Sequence, residues 1–577
     1  MRIRFDCKSL ARTAIAAALF GAGLPAFAQP PAAPPPGTTK TVKGFNQGAM
    51  FQIVMAEIAL QRGQLGAAWS TYMEVARSLR DPRLAQRAVE IAYASHALDQ
   101  AIESAKLWNE LQSGDREIEN TLVSLYVEGG RFPDAEPLIA KRLAQSSEAG
   151  VLFQEVQRLY ARANDKSSAF AALDRLSQPY LRHAGVHLAL ARGAIAAGLD
   201  ERALTEGRAA MTIEPGSEIA VLTTARILVN KAPGDAARLL QDFIDRNPKT
   251  IEVRVALGRT FAAHGEYGAA HEALSEALVV DPNNLEVMLL RGLVSAQAHD
   301  YANATHELKA YLDVAAKADA QNDGVDSALF GLAAVAEDQH QYDEANAYLD
   351  RVSAGDRYLD AQTRIARNLA RSNRIDDART LLHALQPRDE DDEQQLVMAE
   401  AQALREARQY RDAFDVLAAG LKTWPDAPSL LYDYALAAEK VDRTDVMEAT
   451  LRRVIALKPG EAQAYNALGY WLADTTNRLD EAETLIEKAL SLSPDDAYII
   501  DSMGWLQYRR GRNDRAIALL ERAYRIKPDP EIGAHLGEVY WVSGMRDKAE
   551  IVWRAAHARD PENETLAQTL ARYTVKF

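Results

Sequence analysis

The chain has 577 residues, a formal net charge of -15 and one cysteine, with 48% hydrophobic but only 7% aromatic residues. That acidity disfavours nucleic acid and anionic membrane surfaces as partners, and a single cysteine excludes an internal disulfide framework. The aromatic-poor balance suits close-packed helices better than sheets.

The first 28 residues read as a signal peptide. Arg2, Arg4, Lys8 and Arg12 form a basic start, an apolar stretch runs from Ala14 to Leu24, and Ala26-Phe27-Ala28 is a small-x-small pattern that predicts cleavage before Gln29. The apolar run is too short and too glycine-containing to span a bilayer. Cys7 follows Arg4-Phe5-Asp6 rather than the small apolar residues of a bacterial lipidation site, and it leaves with the leader. The expectation is an exported periplasmic protein without a lipid anchor, its association with the outer membrane left open. Residues 29–50 open on QPPAAPPPGTTKT, a proline-rich tether with no core of its own.

From residue 51 the sequence repeats. Pro215, Pro248 and Pro282 are 33 and 34 residues apart, and Pro425, Pro459, Pro494, Pro528 and Pro561 continue with spacings of 33 to 35. Twelve residues before them lie Ala203, Ala236, Ala270, Ala413, Met447, Ala482, Ala516 and Ala549. The phase extends through Ala68, Ala101, Ala135 and Ala169, and between the groups through Ala304, Ala345 and Ala378, giving fifteen units. A 34-residue helix–turn–helix period is the signature of tetratricopeptide repeats. Each marker has a physical reason. The alanine sits early in the second helix, where a small side chain lets paired helices approach; the proline stops that helix.

Five residues before the alanine, the first helix must end in a left-handed residue. Gly63, Gly130, Gly198, Gly265, Gly511 and Gly544 fill that slot, as do Asn164, Asn373 and Asn477, and His96, His299 and His340. Small residues recur twelve before the alanine, as at Ala191, Gly258, Ala366, Gly504 and Gly537. The expected fold is an all-α, right-handed superhelical solenoid whose concave face is lined by first helices. Repeats should occupy 51–311 and 328–561, separated at 312–327 by an extended second helix and loop that carry seven extra residues, with a capping helix over 562–577.

No H-E-x-x-H, G-x-x-x-x-G-K-[ST] or G-x-S-x-G motif occurs. His183 and His187 share a helix face but lack a third ligand, so no metal is expected. The acidic run after Arg388 lacks the glycine and alternating ligands of a calcium loop and reads as a helix start. No catalytic residue, cofactor or metal site is expected. An enzyme would need a non-repeat domain, and fifteen units leave no room for one.

In the final third, aromatic and polar residues occupy the concave positions of successive first helices: Gln463, Asn466 and Tyr470; then Tyr498, Asp501, Trp505 and Tyr508; then Glu531, Glu538 and Trp541. Two readings stand open. These residues line a peptide-binding surface, or their rings seal the helix interface.

Residues 464–561, with the phrases D-S-M-G-W-L-Q-Y and A-H-L-G-E-V-Y-W, resemble a proteobacterial envelope family, and FQIVMAEIALQRGQLGAAWSTYMEVARSLRDPRLAQRAVEIA resembles that family's opening. Its members are usually outer-membrane lipoproteins built of tetratricopeptide repeats. Some bind a carboxyl-terminal processing protease and deliver its cell-wall hydrolase substrates. The resemblance therefore implies a non-enzymatic adaptor, although the lipid-attachment cysteine is missing here. A scaffold for polysaccharide export or outer-membrane assembly is the alternative.

Overall fold

The computed structural model describes residues 47–318, 323–561 and 563–575. The leader, and the tether as far as residue 46, lie outside the described residues, whereas residues 47–50, placed in the tether from sequence, already belong to the first helix, Gln47–Gln61. Among the described residues there are 31 α-helices and no strand.

The repeat markers are placed alike in every unit. All fifteen marker residues, from Ala68 to Ala549, are the fourth residue of their helix. None is more than 4% exposed. Alanine at fourteen of these positions lets the paired helices approach closely, and the remaining unit accommodates Met447. The eight helices that precede the marker prolines end at Ile213, Arg246, Val280, Thr423, Leu457, Leu492, Ile526 and Arg559, each two residues before its proline. Proline has no N–H to donate to a helical carbonyl, and its ring pushes the residue before it out of helical geometry.

The left-handed turns follow the same logic. The six glycines named above have φ between 66° and 83°, and His96, His299, His340 and Asn373 have φ between 56° and 59°. The histidines are therefore turn residues. Arg408 (φ 58°) and Asp442 (φ 60°) fill the slot in two further units. Asn164 and Asn477 correct the expectation, since neither is left-handed. Near Asn164, the Lys166 ammonium donates to the carbonyls of Ala161 and Ala163 at 2.6 Å each, taking over the capping that a left-handed residue supplies elsewhere. Near Asn477 the turn is one residue longer, and the Thr476 hydroxyl accepts from the Arg478 amide at 3.0 Å.

The described residues divide into two compact units, one ending at Asp300 and the other beginning at Tyr301. In the first, a continuous core runs from Ala49 into the helix Ala184–Ala196, with smaller clusters following. Gly150 and Gly185 let the helices Ala149–Tyr160 and Ala184–Ala196 cross backbone to backbone; a Cβ on Gly185 would lie 2.9 Å from the Cα, carbonyl carbon and oxygen of Gly150. Backbone atoms cannot swing aside as a side-chain tip can. Gly185→Ala is expected to cost about 1–3 kcal/mol. Hydrogen exchange should show the lost protection centred on those two helices. Gly268→Ala, whose Cβ would meet nothing within 4 Å, is the control. Equal protection in both variants would contradict the close crossing.

The second unit opens with the 17-residue second helix Tyr301–Lys317, longer than its counterparts. Residues 319–322 of the expected insertion lie outside the described residues. The acidic run begins the helix Glu390–Glu406, where the Asp389 carboxylate accepts from the Asp392 amide at 2.9 Å and caps it. At the end, the helix Glu564–Arg572 buries Leu566 and Leu570 against the last repeat, with Tyr573 beside them.

Candidate functional site

Four first helices of the second unit follow one another at the repeat period: Pro428–Lys440, Ala462–Thr475, Ala497–Arg509 and Pro530–Val542. Between the last three of these, a polar cluster forms that no single repeat contains. The His535 Nδ1–H donates to Asp501, at 2.9 Å from Oδ2, and its Nε2 shares a hydrogen bond with the Tyr470 hydroxyl at 3.3 Å. The His535 ring stacks on the Trp505 indole with centroids 4.4 Å apart, and the Trp505 N–H donates to Asp474 at 2.9 Å. Tyr470 thus reaches over the intervening helix to touch a residue two repeats ahead. First helices of alternate repeats can meet only where the surface they line curves inward, so this stretch of the first-helix face is concave.

The electrostatics follow from that enclosure. Burial alone would push His535 down. The Asp501 charge, its hydrogen bond, Glu531 and Asp474 outweigh it and hold His535 above its ordinary value. The pairing with the Asp501 carboxylate favours the protonated ring, and both side chains are nearly excluded from solvent. Burial pushes the Tyr470 phenol up, and Asp474, Glu531, Asp501 and Glu439 add to the shift. Both imidazole nitrogens are committed, so His535 has no free nitrogen to offer a substrate.

The residues singled out from sequence fall into two classes. Asp501 and Trp505 are 4% and 6% exposed and belong to this cluster. Glu538, 3% exposed, is held by Arg572 at 2.9 Å and by the Tyr573 hydroxyl at 3.2 Å, with Tyr508 at 3.5 Å. Trp541 packs on Trp553 and Tyr573, with the Arg546 guanidinium 5.0 Å from its ring. These side chains join the repeats to one another. The more open ones are Gln463, which donates to Asp496 at 3.1 Å, and Tyr498, 38% exposed, whose hydroxyl donates to Asp529 at 3.0 Å. Asn466 and Glu531 are half-buried, and the Asn466 Oδ1 has no hydrogen-bond partner among the described residues.

Sequence counting passed over His535, because the fixed concave positions of that helix fall on Ala534. It also passed over Asp474 and Arg572. A histidine one residue off the template and an aspartate 31 residues from its tryptophan give no local signal. The His183 and His187 pair resolves differently. The His187 ring lies 2.6 Å from Glu206 and 2.7 Å from the Leu181 carbonyl, so both nitrogens serve packing contacts. Among the described residues, no group of three His, Cys, Asp or Glu is placed to hold a metal, and no helix is long and apolar enough to cross a membrane.

Residues 255–323 and 462–496 match tetratricopeptide-repeat family models. A TPR repeat-containing protein of Pseudomonas aeruginosa is 29% identical over 497 residues, covering 86% of this chain and 82% of the relative. Among solved structures, yeast Tom70 is 14% identical with a TM-score of 0.36, covering 91% of this chain and 99% of that one. A thermophilic TPR protein of Thermus thermophilus is 22% identical with a TM-score of 0.29, covering 31% of this chain and 99% of that one. Residues 255–323 and 462–496 thus match tetratricopeptide repeats, and helix pairs with the same spacing recur along the described residues.

Proposed function

We propose that the protein is a non-enzymatic, exported periplasmic scaffold that captures protein partners on the concave first-helix face around Tyr470, and that it acts as an adaptor for a carboxyl-terminal processing protease. The observation that carries the binding surface is the Tyr470–His535 contact, which curves the first helices of consecutive repeats into one groove. A groove of this kind presents pre-ordered side chains to an extended or helical segment, so little ordering entropy is lost on binding. The protease and its cell-wall hydrolase substrates come from the resemblance of residues 464–561 to the envelope adaptors. Export rests on the basic start and the Ala26-Phe27-Ala28 pattern.

A photo-crosslinking residue at Gln463, on the open part of the groove, tests the reading directly in intact cells. The expected product is a covalent complex with a carboxyl-terminal processing protease or its substrate. An export or outer-membrane assembly component in its place would overturn the adaptor assignment. Mass spectrometry of the purified chain should give an unmodified N-terminus at Gln29; an acylated terminus, or a retained Met1, would overturn the processing.

A further inference from the structure

Resting on that reading of the groove, we infer that the partner segment held against these first helices is basic, presenting lysine or arginine side chains to carboxylates that no internal cation contacts directly. The groove wall carries Asp433, Glu439, Asp474, Asp501 and Glu531 on four consecutive first helices. Two of them are answered inside the protein, Asp501 by His535 at 2.9 Å and Asp474 by Arg509 at 3.8 Å. Asp433, Glu439 and Glu531 make no ion pair within 4 Å among the described residues, although carboxylates elsewhere in this unit are densely paired with arginine.

The three pay for their position in the free protein. Burial pushes Asp433 up, with distant Arg405 opposing. Neighbouring groups crowd Glu439 at its accessible helix end and push it up, Lys440 opposing and Asp474 adding. Burial likewise pushes Glu531 up, with Asp501 and Asp529 adding and His535 and Lys440 opposing. An arriving cation restores the interaction that water no longer provides, so it is favoured over a neutral or acidic group.

The surroundings fit a long cationic side chain rather than a bare ion. Asp433 stands in the wall of a cavity of about 390 Å³ that Phe330, Met398 and Gln395 also line, which gives an apolar stem room beside a carboxylate. The arginines of that cavity, Arg364 and Arg367, are drawn to Glu337 at 2.6 and 3.6 Å. Farther along, Tyr498 already holds the Lys527 ammonium 4.6 Å from its ring centre, the contact a partner's cation would make with a neighbouring ring.

The test titrates the full chain, at physiological salt, with two fluorescent peptides: three repeats of Ala-Lys-Leu and three repeats of Ala-Glu-Leu. The lysine peptide is expected to bind about tenfold tighter or more, and Glu439→Gln and Glu531→Gln should each weaken it about three- to tenfold. Both substitutions remove a carboxylate the fold already disfavours, so the variants should stay folded. Asp343→Asn, an exposed carboxylate on the second helix Tyr342–Leu349, should change nothing. Equal binding of the two peptides, no binding of the lysine peptide, or an equal loss from Asp343→Asn, which would mark diffuse charge attraction, overturns the inference. Crosslinking from Gln463 separates the two levels. A partner caught through an acidic or neutral segment sinks the basic-segment inference and leaves the groove standing; absence of any crosslink there sinks the groove itself.

Discussion

Gly537→Ala is expected to lower the unfolding midpoint of the C-terminal repeats sharply. A Cβ at that position lands inside the indole of Trp553, 2.5 and 2.6 Å from Cδ1 and Cε2. Trp553 is fully buried, its N–H donates to the Ala534 carbonyl at 3.2 Å, and it packs against Trp541 and Tyr573. The ring cannot move without losing that hydrogen bond and disturbing both neighbours. Overpacking together with one weakened hydrogen bond amounts to about 2–4 kcal/mol. Because each repeat touches chiefly its neighbours, the loss of amide protection should stay in the last repeats. A second substitution, Trp553→Leu, should rescue part of the loss in the double variant, since the smaller side chain leaves room for the methyl. An unchanged midpoint for Gly537→Ala, measured by tryptophan fluorescence and calorimetry, would show that the helix pair is looser than its geometry states.

Asp501→Asn is expected to reverse the pH dependence that His535 contributes. In the native protein His535 has a folded pKa raised above its unfolded value of about 6.5. Its contribution to stability is therefore fully present below that value and is lost as pH rises through the folded pKa. Removing the Asp501 charge leaves burial as the dominant influence, which favours the neutral ring. The variant's His535 must then lose its proton on folding, and stability falls as pH drops below about 6.5. At pH 6 the variant has lost the buried pair and must deprotonate His535 to fold, a loss of about 3–5 kcal/mol that should shrink as pH rises through the native protein's folded pKa. Denaturant melts at pH 6 and 8 decide it. Parallel pH profiles for the two proteins would contradict an ionised pair.

The repeat was legible because its rules are local. A small residue at the fourth position of the second helix and a proline two residues beyond its end are requirements of one helix pair, so they recur at fixed spacing. The turn slot was legible wherever the turn length was standard. It failed at Asn477, where one extra residue let Thr476 close the turn, and at Asn164, where Lys166 supplied the capping from farther along the chain. The binding surface was less legible for a different reason. Tyr470 and His535 are 65 residues apart, and their contact exists only because successive repeats curve. Curvature is the accumulated rotation of many pairs, and no repeat states it alone. The sequence placed Trp505 and Trp541 in the groove with equal weight to Tyr498. Packing draws Trp505 onto His535 and Trp541 onto Trp553, leaving Tyr498 as the more accessible ring.

That difference sets the most direct test of the groove as the partner surface: partner affinity and unfolding midpoint measured together for Tyr498→Ala, Trp505→Ala and Ile551→Ala. Ile551 is an exposed apolar residue, 67% accessible, on a second helix. The account predicts that Tyr498→Ala weakens binding more than tenfold, about 2 kcal/mol or more, at a nearly unchanged midpoint. It predicts that Trp505→Ala lowers the midpoint, and that Ile551→Ala changes neither quantity. Full affinity in Tyr498→Ala together with a loss in Ile551→Ala would place the partner on the second-helix face and contradict the account.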